Sequence, residues 1–179
     1  MILTEQQYKL LDSLTELYPD YPIKGIIFKD LSLIYTSPEA MQLIELLIKK
    51  NIAPLNPDSV IGCDARGFIL GTIVARVLNI PFILARKAGK LPPCELISKT
   101  YKLEYGTAEL QMHKHIITKY NSPIICDDVL ATGGTCLAIT DMLEEVGIKV
   151  NSYLFLSEII DLNAREKLEK NAPVFSFLK

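Results

Sequence analysis

Apolar residues recur along this chain with two different spacings, one typical of helices and one of strands, and the two alternate. Thr4 with Gln7 three residues later forms a capping box that opens an amphipathic pattern, and Ser37 with Pro38 is an N-cap followed by proline at the first helical position. Short apolar runs between the helical patterns predict buried strands. Helices are predicted at 4–18, from 38 onward, at 68–78, between 135 and Gly147, and at 162–170, and strands at 59–63, 80–85, 124–128, 148–157 and 173–177.

The alternation of strands and helices predicts an α/β fold. We expect a doubly wound, mainly parallel sheet with helices on both faces and ligands at the carboxyl ends of its strands. A length of 179 residues with 49% hydrophobic composition suits a single domain spanning residues 1–179. Residues 86–101 are rich in Lys and Pro without clear periodicity, which predicts a long surface loop, and extended segments are expected on either side of Gly106.

Charge and cysteine usage narrow the function classes. A net charge of −2 and a pI near 5.7 give no basic footprint for nucleic acid or an anionic membrane, so any phosphate binding must be local. The four cysteines form no C-x-x-C pair, and Cys63, Cys126 and Cys136 lie in or beside apolar segments, as buried free thiols do. No apolar signal core follows Met1, and no stretch approaches ~18 uninterrupted apolar residues. We therefore expect a cytoplasmic protein without a membrane partner.

Residues 124–135 carry the strongest chemical signal. An apolar strand leads into Asp127 and Asp128, and a small-residue turn containing Gly133 and Gly134 then opens a helix. A strand that runs through a glycine turn into a helix leaves several backbone N–H groups aimed at one point, where a phosphate can sit. Vicinal carboxylates beside that point can accept hydrogen bonds from two hydroxyls or face a magnesium ion. The segment predicts a clamp for a phosphorylated ribose.

Two common nucleotide motifs are absent from the sequence. There is no Gly-x-x-x-x-Gly-Lys-Ser/Thr and no Gly-x-Gly-x-x-Gly. Nucleotide hydrolysis by a P-loop and dinucleotide binding both lose their main support.

The segment Asp-Asp-Val-Leu-Ala-Thr-Gly-Gly-Thr at 127–135 resembles the phosphoribosyl pyrophosphate signature of type I phosphoribosyltransferases, in the wording of the members that use adenine. Further matches in the same order extend over nearly the full length. They are Gly-Ile-Ile-Phe-Lys-Asp at 25–30, Asp-Ala-Arg-Gly-Phe at 64–68, Arg-Lys-Ala-Gly-Lys-Leu-Pro at 86–92 and Tyr-Lys-Leu-Glu-Tyr-Gly at 101–106.

The resemblance implies a donor site at the signature segment. Asp127 and Asp128 are expected to hold the ribose 2′- and 3′-hydroxyls, with Mg²⁺ near them bound through substrate and water rather than directly by the protein. The 5′-phosphate is expected on the turn formed by Ala131, Thr132, Gly133, Gly134 and Thr135.

Alanine at position 131 distinguishes the subfamilies. Relatives that use hypoxanthine or guanine place an Asp there to meet the purine N7, and alanine cannot exchange a proton. Similarity therefore points to Glu104 as the group that meets N7, with Tyr105 beside it. A carboxyl group closed under a loop would have its pKa raised by desolvation, so it could act as a general acid.

The basic residues are expected to surround the pyrophosphate. Arg66 follows a strand and precedes a helix, and its planar guanidinium suits phosphate oxygens. By resemblance we predict a cis peptide bond between Ala65 and Arg66. Arg86, Lys87 and Lys90 are expected to reach the same anion from a flexible lid of residues 86–106, which would close over the reacting groups.

A small N-terminal hood, about residues 1–35, is expected to cover the base. Phe28 would give an apolar face, and the main chain of Ile27, Phe28 and Lys29 would read the six-amino edge. Lys29 stands where adenine-using relatives commonly carry Arg, and Leu33 stands where a proline is common.

The reaction implied by the resemblance joins adenine and 5-phosphoribosyl 1-pyrophosphate, with Mg²⁺, to give AMP and pyrophosphate. Homodimers are the rule among such relatives, and we expect one here. Two other functions stay open: transfer to another purine such as xanthine, and a regulator that senses the donor without catalysis.

His113 and His115 lie on an alternating polar segment with no partner cluster in sequence. We do not expect them to bind a metal.

Overall fold

The computed structural model describes residues 4–21, 24–25, 27–102 and 107–178. Its helices are α1 Glu5–Ser13, α2 Ser32–Thr36, α3 Pro38–Asn51, α4 Gly67–Leu78, α5 Lys114–Ile117, α6 Gly134–Glu145 and α7 Ala164–Leu168. Its strands are β1 Glu16–Pro19, β2 Ile27–Asp30, β3 Ser59–Cys63, β4 Phe82–Lys87, β5 Leu96–Lys102, β6 Thr107–His113, β7 Pro123–Leu130, β8 Ser152–Glu158 and β9 Val174–Leu178.

Within these residues the strands form a seven-stranded sheet in the order β5-β6-β4-β3-β7-β8-β9, together with a separate antiparallel pair of β1 and β2. Strands β4, β3, β7, β8 and β9 run parallel, whereas β6 is antiparallel to β4 and β5 is antiparallel to β6. The predicted α/β fold with a mainly parallel sheet is confirmed. In such a sheet the carboxyl ends of β3, β4, β7 and β8 share one edge, which is where ligands bind.

Two apolar cores cover the two faces of the sheet. One contains inward residues of α6, such as Ile139 and Met142, packed with Ile125 of β7. The other contains Leu43 and Ile48 of α3, together with residues of α4 and alternate residues of the same strands. Successive residues of a buried strand point to opposite faces, so an uninterrupted apolar run serves both cores. Helices on both faces are therefore confirmed.

The first helix is shorter than predicted. The capping box of Thr4 and Gln7 forms, but the helix ends at Ser13 rather than at residue 18. Residues Glu16–Pro19 instead form β1, in which Tyr18 pairs with Phe28 of β2. Strand pairing satisfies the backbone groups that the helix would have satisfied, so the helical spacing of Leu14 and Tyr18 was misleading.

The predicted loop at 86–101 is wrong for half of its length. Strand β4 continues through Lys87, and β5 occupies Leu96–Lys102 in continuous register with β6, from Leu96 opposite His113 to Lys102 opposite Thr107. Only residues 88–95 remain between the strands. A strand at the edge of a sheet buries few of its side chains, so β5 contains exposed polar residues such as Ser98 and Thr100. These residues hide the alternating apolar pattern by which a strand is recognised in the sequence.

Other boundaries differ by a few residues. Strand β4 begins at Phe82 rather than 80, β8 begins at Ser152 rather than 148, and α7 covers only Ala164–Leu168 of the predicted 162–170. Strand β7 extends to Leu130, so the two aspartates lie inside the strand and not beyond it.

Burial of the thiols agrees with the prediction. Cys63, Cys126 and Cys136 are buried and Cys94 is exposed, and all four are free. Separately, none of the helices in the described ranges is both long and apolar enough to cross a bilayer.

Candidate active site

A turn of residues 131–135 joins β7 to α6 at the carboxyl edge of the sheet. Gly133 has a φ of +78°, a left-handed conformation that costs glycine little, and it is the N-cap of α6. The Gly134 N–H donates to Thr132 Oγ1 at 3.4 Å. A cavity of about 180 Å³ opens on the turn and is lined by Asp127, Val129, Phe155 and every residue from Leu130 to Cys136. The N-terminal N–H groups of α6 and its dipole favour an anion in this cavity.

Asp127 forms one wall of that cavity and has no direct cationic partner among the ion pairs of the described residues. Its Oδ1 accepts a hydrogen bond from the Asp128 N–H at 2.9 Å. Burial raises the pKa of Asp127 well above its ordinary value, and the adjacent carboxyl of Asp128 raises it further. A carboxyl that faces the cavity in this way can exchange hydrogen bonds with ligand hydroxyls.

Asp128 is also buried, but its carboxylate is held by protein groups. Oδ1 accepts from the Val129 N–H at 2.8 Å, and Oδ2 lies 2.8 Å from Arg66 Nε. Burial raises the pKa of Asp128, and the Arg66 guanidinium opposes that rise. The two adjacent carboxylates therefore differ: Asp127 faces the cavity, whereas Asp128 is ion-paired.

Arg66 connects the carboxylates to the hood. Besides contacting Asp128, its guanidinium carbon lies 5.0 Å from the centre of the Phe28 ring, within the range of a cation–π contact. Half of the Arg66 side chain remains exposed. The residue predicted to grip pyrophosphate thus also ties β2 to the end of β7.

The loop between β3 and α4 contains a cis peptide bond, but at Asp64-Ala65 and not between Ala65 and Arg66. The predicted position was one residue too late. Asp64 Oδ2 accepts from Arg86 Nε at 3.2 Å and from the Lys87 N–H at 3.3 Å. This loop and the end of β4 are therefore held together beside the site.

Gly67, at the start of α4, allows a close approach to β7. A Cβ at this position would lie 2.6 Å from the Cys126 carbonyl oxygen and 2.9 Å from Asp127 Oδ1. Since those contacts are shorter than van der Waals packing permits, only glycine lets the helix begin against the buried carboxyl.

Phe28 and Lys29, which were expected to cover the base, lie on β2 of the antiparallel pair, and their side chains have different partners. The Phe28 ring contacts Tyr21 edge-on at 5.2 Å between centroids. Lys29 Nζ donates to Ser157 Oγ at 3.0 Å, at the carboxyl end of β8. Burial lowers the pKa of Lys29, and the charges of Asp12 and Glu158 oppose the fall. The Lys29 side chain thus anchors the hood to the sheet. Ile27, at the edge of the hood, is exposed.

The remaining predicted residues fall into two groups. Lys87 and Lys90 are exposed at and just beyond the end of β4. Glu104 and Tyr105 lie outside the described residues.

Two tyrosines of the site were missed by sequence reasoning. Tyr101 of β5 lines a second cavity together with Thr132 and Gly134 of the phosphate turn, and burial raises the pKa of its hydroxyl. Tyr35 has a buried hydroxyl without a hydrogen-bond partner in the described part of the chain. Burial raises the pKa of this hydroxyl, the charges of Asp128 and Asp127 raise it further, and the charge of Arg66 lowers it. Tyr101 lay at the end of the predicted loop and opens the matching segment at 101–106, but it was given no role there, and no sequence motif marked Tyr35.

Comparison with known proteins adds three findings to this geometry. Residues 31–178 match the phosphoribosyl transferase domain family. Over 153 residues the chain is 43% identical to an adenine phosphoribosyltransferase of Agathobacter rectalis, covering 85% of this chain and 87% of the relative.

Two solved structures are similar along almost the whole chain. One is the adenine phosphoribosyltransferase of Giardia lamblia complexed with 9-deazaadenine, at a TM-score of 0.88 and 36% identity, covering 94% of both chains. The other is the Saccharomyces cerevisiae enzyme of the same name, complexed with an imino-altritol bisphosphate and adenine, at a TM-score of 0.84 and 32% identity, covering 97% of this chain and 99% of that one.

The burial of Asp127 leads to a prediction about stability. Because its pKa is raised in the folded chain, the folded state retains a proton that the unfolded state has released, so the free energy of unfolding of the wild type falls as pH rises above the ordinary value of 3.8. Asp127→Asn retains an oxygen acceptor for the Asp128 N–H but cannot ionise. We expect the stability of this variant relative to wild type to increase with pH, measured by urea denaturation at several pH values.

Glu166→Gln, on the exposed side of α7, is the matched control and should give a flat difference. A difference for Asp127→Asn that stays flat or falls with pH would contradict the burial of this carboxyl.

Proposed function

The chain belongs to the phosphoribosyltransferase family, and on that basis we propose that it is an enzyme of purine salvage that converts adenine and 5-phosphoribosyl 1-pyrophosphate to AMP and pyrophosphate. The observation that supports this most directly is the combination of a phosphate turn at 131–135 with the buried Asp127 on the same cavity. The relatives and solved structures named adenine phosphoribosyltransferase support adenine over xanthine and over a regulator without catalysis.

In this proposal the donor lies in the cavity with its 5′-phosphate on the turn. Backbone N–H groups at the start of α6 neutralise the phosphate, and the carboxyls of Asp127 and Asp128 accept hydrogen bonds from the ribose hydroxyls. Asp128 is held in place by Arg66, so its orientation is set before the donor arrives.

Mg²⁺ is implied by the family, and the residues here fit it. Hard cations prefer oxygen ligands, and a nearby cation would offset the cost of ionising the buried Asp127. Asp127 and Asp128 would hold the ion through ribose hydroxyls and water. When bound, Mg²⁺ supplies charge neutralisation on the pyrophosphate.

The basic side chains complete the anion site. As pyrophosphate leaves the anomeric carbon, positive charge develops on the sugar and negative charge on the leaving group. Arg66, Arg86, Lys87 and Lys90 stabilise the leaving group, and such preorganised charge is commonly the largest catalytic contribution. Asp64 supports this arrangement, since it already orients Arg86 and the Lys87 backbone.

Adenine lies under the hood, against Phe28. The main chain of Ile27, Phe28 and Lys29 reads the six-amino edge, because backbone donors and acceptors present opposite patterns to six-amino and six-oxo purines. Engagement of the Lys29 side chain by Ser157 supports reading by the backbone rather than by this side chain.

Glu104 exchanges the proton at N7, with Tyr105 beside it, in a lid of residues 86–106 that closes to exclude water. Two observations support this role. Ala131 lines the cavity without a proton to exchange, and Tyr101 places the β5 side of the hairpin beside Thr132 and Gly134 of the phosphate turn.

The chain acts as one domain of residues 1–179, in the cytoplasm, as a homodimer. The free thiols support a reducing compartment. The Leu84 side chain projects from β4 on the same face of the sheet as α4. Leu84 and Ile69 of α4 are both exposed, which supports an apolar contact between two copies at this surface.

The test of the activity is a side-by-side assay of adenine, hypoxanthine, guanine and xanthine with the donor and Mg²⁺, with the nucleotides identified by mass. We expect AMP, with a kcat/KM for adenine at least about 100-fold above the others, because a six-oxo purine leaves backbone hydrogen bonds unpaired. A preference for a six-oxo purine would overturn the base assignment. Donor binding without any nucleotide product would favour the regulator instead.

A second prediction concerns Glu104. Glu104→Gln should lower kcat by about 100-fold or more while changing the KM for the donor little, since only proton transfer is removed. Steady-state kinetics with adenine measure both. Glu109→Gln, a carboxylate on β6 of the same hairpin, is the control and should retain activity. Equal losses in kcat and in donor affinity for Glu104→Gln would contradict the acid–base role.

A further inference from the structure

Three metal-ligating side chains meet at the root of the β5–β6 hairpin, away from the phosphate turn. Cys94, His113 and His115 place their ligand atoms within 4.8 Å of one another, and among the described residues they form the one such group. Cys94 lies 19 residues before His113 along the chain, so only the fold brings this thiol beside the histidines.

Backbone pairing sets this arrangement. Leu96 of β5 lies opposite His113 of β6, and the Lys114 N–H donates to the Glu95 carbonyl at 2.9 Å. Cys94 is therefore held beside the end of β6, with Sγ 2.6 Å from His113 Nδ1. Sites built on paired strands hold their ligands more firmly than sites on free loops.

The spacing suits a small tetrahedral cation. Zinc bonds of about 2.3 Å to sulfur and about 2.0–2.1 Å to nitrogen require ligand atoms about 3.3–3.6 Å apart. The shortest separation here is 2.6 Å and the ligand atoms span at most 4.8 Å, so shifts of about 1 Å bring all three to zinc distances. The His113 and His115 rings, with centroids 5.3 Å apart, are tilted by 53° and so do not stack.

Charge and exposure leave the site open to a metal. Cys94 and His115 are exposed, which leaves a coordination position for water. Lys114 lies between the two histidines in sequence, but its ammonium lies 3.2 Å from Glu95 Oε1, so this neighbouring charge is neutralised. A thiolate with two imidazoles is a ligand set that selects Zn²⁺ over Mg²⁺.

We propose that Cys94, His113 and His115 form a zinc site that clamps residues 88–95 to the root of the β5–β6 hairpin. The site is separate from the proposed catalytic centre: Leu96 and Tyr101 are five residues apart on β5, about 17 Å along an extended strand. Bound zinc stabilises the folded chain by mass action, since the unfolded chain does not hold the three ligands together.

The test uses the full chain without an affinity tag, treated with a chelator and a non-thiol reductant, and titrated with Co²⁺ as a spectroscopic probe and then with Zn²⁺. We expect one equivalent per chain, a thiolate-to-cobalt charge-transfer band, intense visible bands of tetrahedral cobalt, and displacement by Zn²⁺. Zn²⁺ should also raise the melting temperature of the wild type.

Cys94→Ser should remove the charge-transfer band, and each of Cys94→Ser, His113→Gln and His115→Gln should weaken metal binding by more than about 100-fold. Cys94 is exposed, so its variant is expected to fold, and circular dichroism without metal checks this. Lys119→Ala, an exposed control after α5, should bind as wild type does.

Several outcomes would overturn the site. They are absence of cobalt binding by the wild type, binding without a charge-transfer band, or unchanged affinity in Cys94→Ser. Half an equivalent of metal per chain would show a site shared between two copies, which also contradicts a clamp within one chain.

Discussion

The whole candidate active site depends on one costly constraint, the burial of two adjacent carboxyl groups at the end of a central strand. Asp127 and Asp128 lie inside β7, where desolvation raises both pKa values and the charge of Asp128 raises that of Asp127 further. The chain tolerates this because Arg66 pairs with one of them and because Gly67 lets α4 begin against the other. Buried ionisable groups with strongly shifted pKa values are typical of functional sites, since a bound ligand can supply the hydrogen bonds and charges that the protein does not.

The same constraint couples the parts of the molecule that surround the cavity. Arg66 reaches from Asp128 to the Phe28 ring, and Lys29 reaches from the hood to Ser157, so the hood is fastened at two points to the carboxyl edge of the sheet. On the other side, Tyr101 of the β5–β6 hairpin lines a second cavity with Thr132 and Gly134 of the phosphate turn. Base, sugar and leaving-group regions are thus linked through side chains that contact the ribose-phosphate cavity or its walls.

Sequence reasoning succeeded where local chemistry determines the structure. The capping box at Thr4, the N-cap at Ser37 and the left-handed Gly133 in the turn are all local features, and Gly133 lines the phosphate cavity. It failed where pairing partners are distant. Strand β5 looked like a loop because its polar residues are explained only by its position at the sheet edge beside β6, and Tyr18 looked helical until β2 paired with it. The partner of His113 was also invisible, since only the hairpin brings Cys94 to it.

The central claim is that the buried carboxyls bind the sugar of the donor, and calorimetric titration with 5-phosphoribosyl 1-pyrophosphate and Mg²⁺ tests it most directly. The doubly substituted chain Asp127→Asn/Asp128→Asn should remain folded and lose donor affinity by about 100-fold or more, because charged hydrogen bonds to both hydroxyls are removed. Glu166→Gln should bind as wild type does. An unchanged dissociation constant in the double variant would contradict the account.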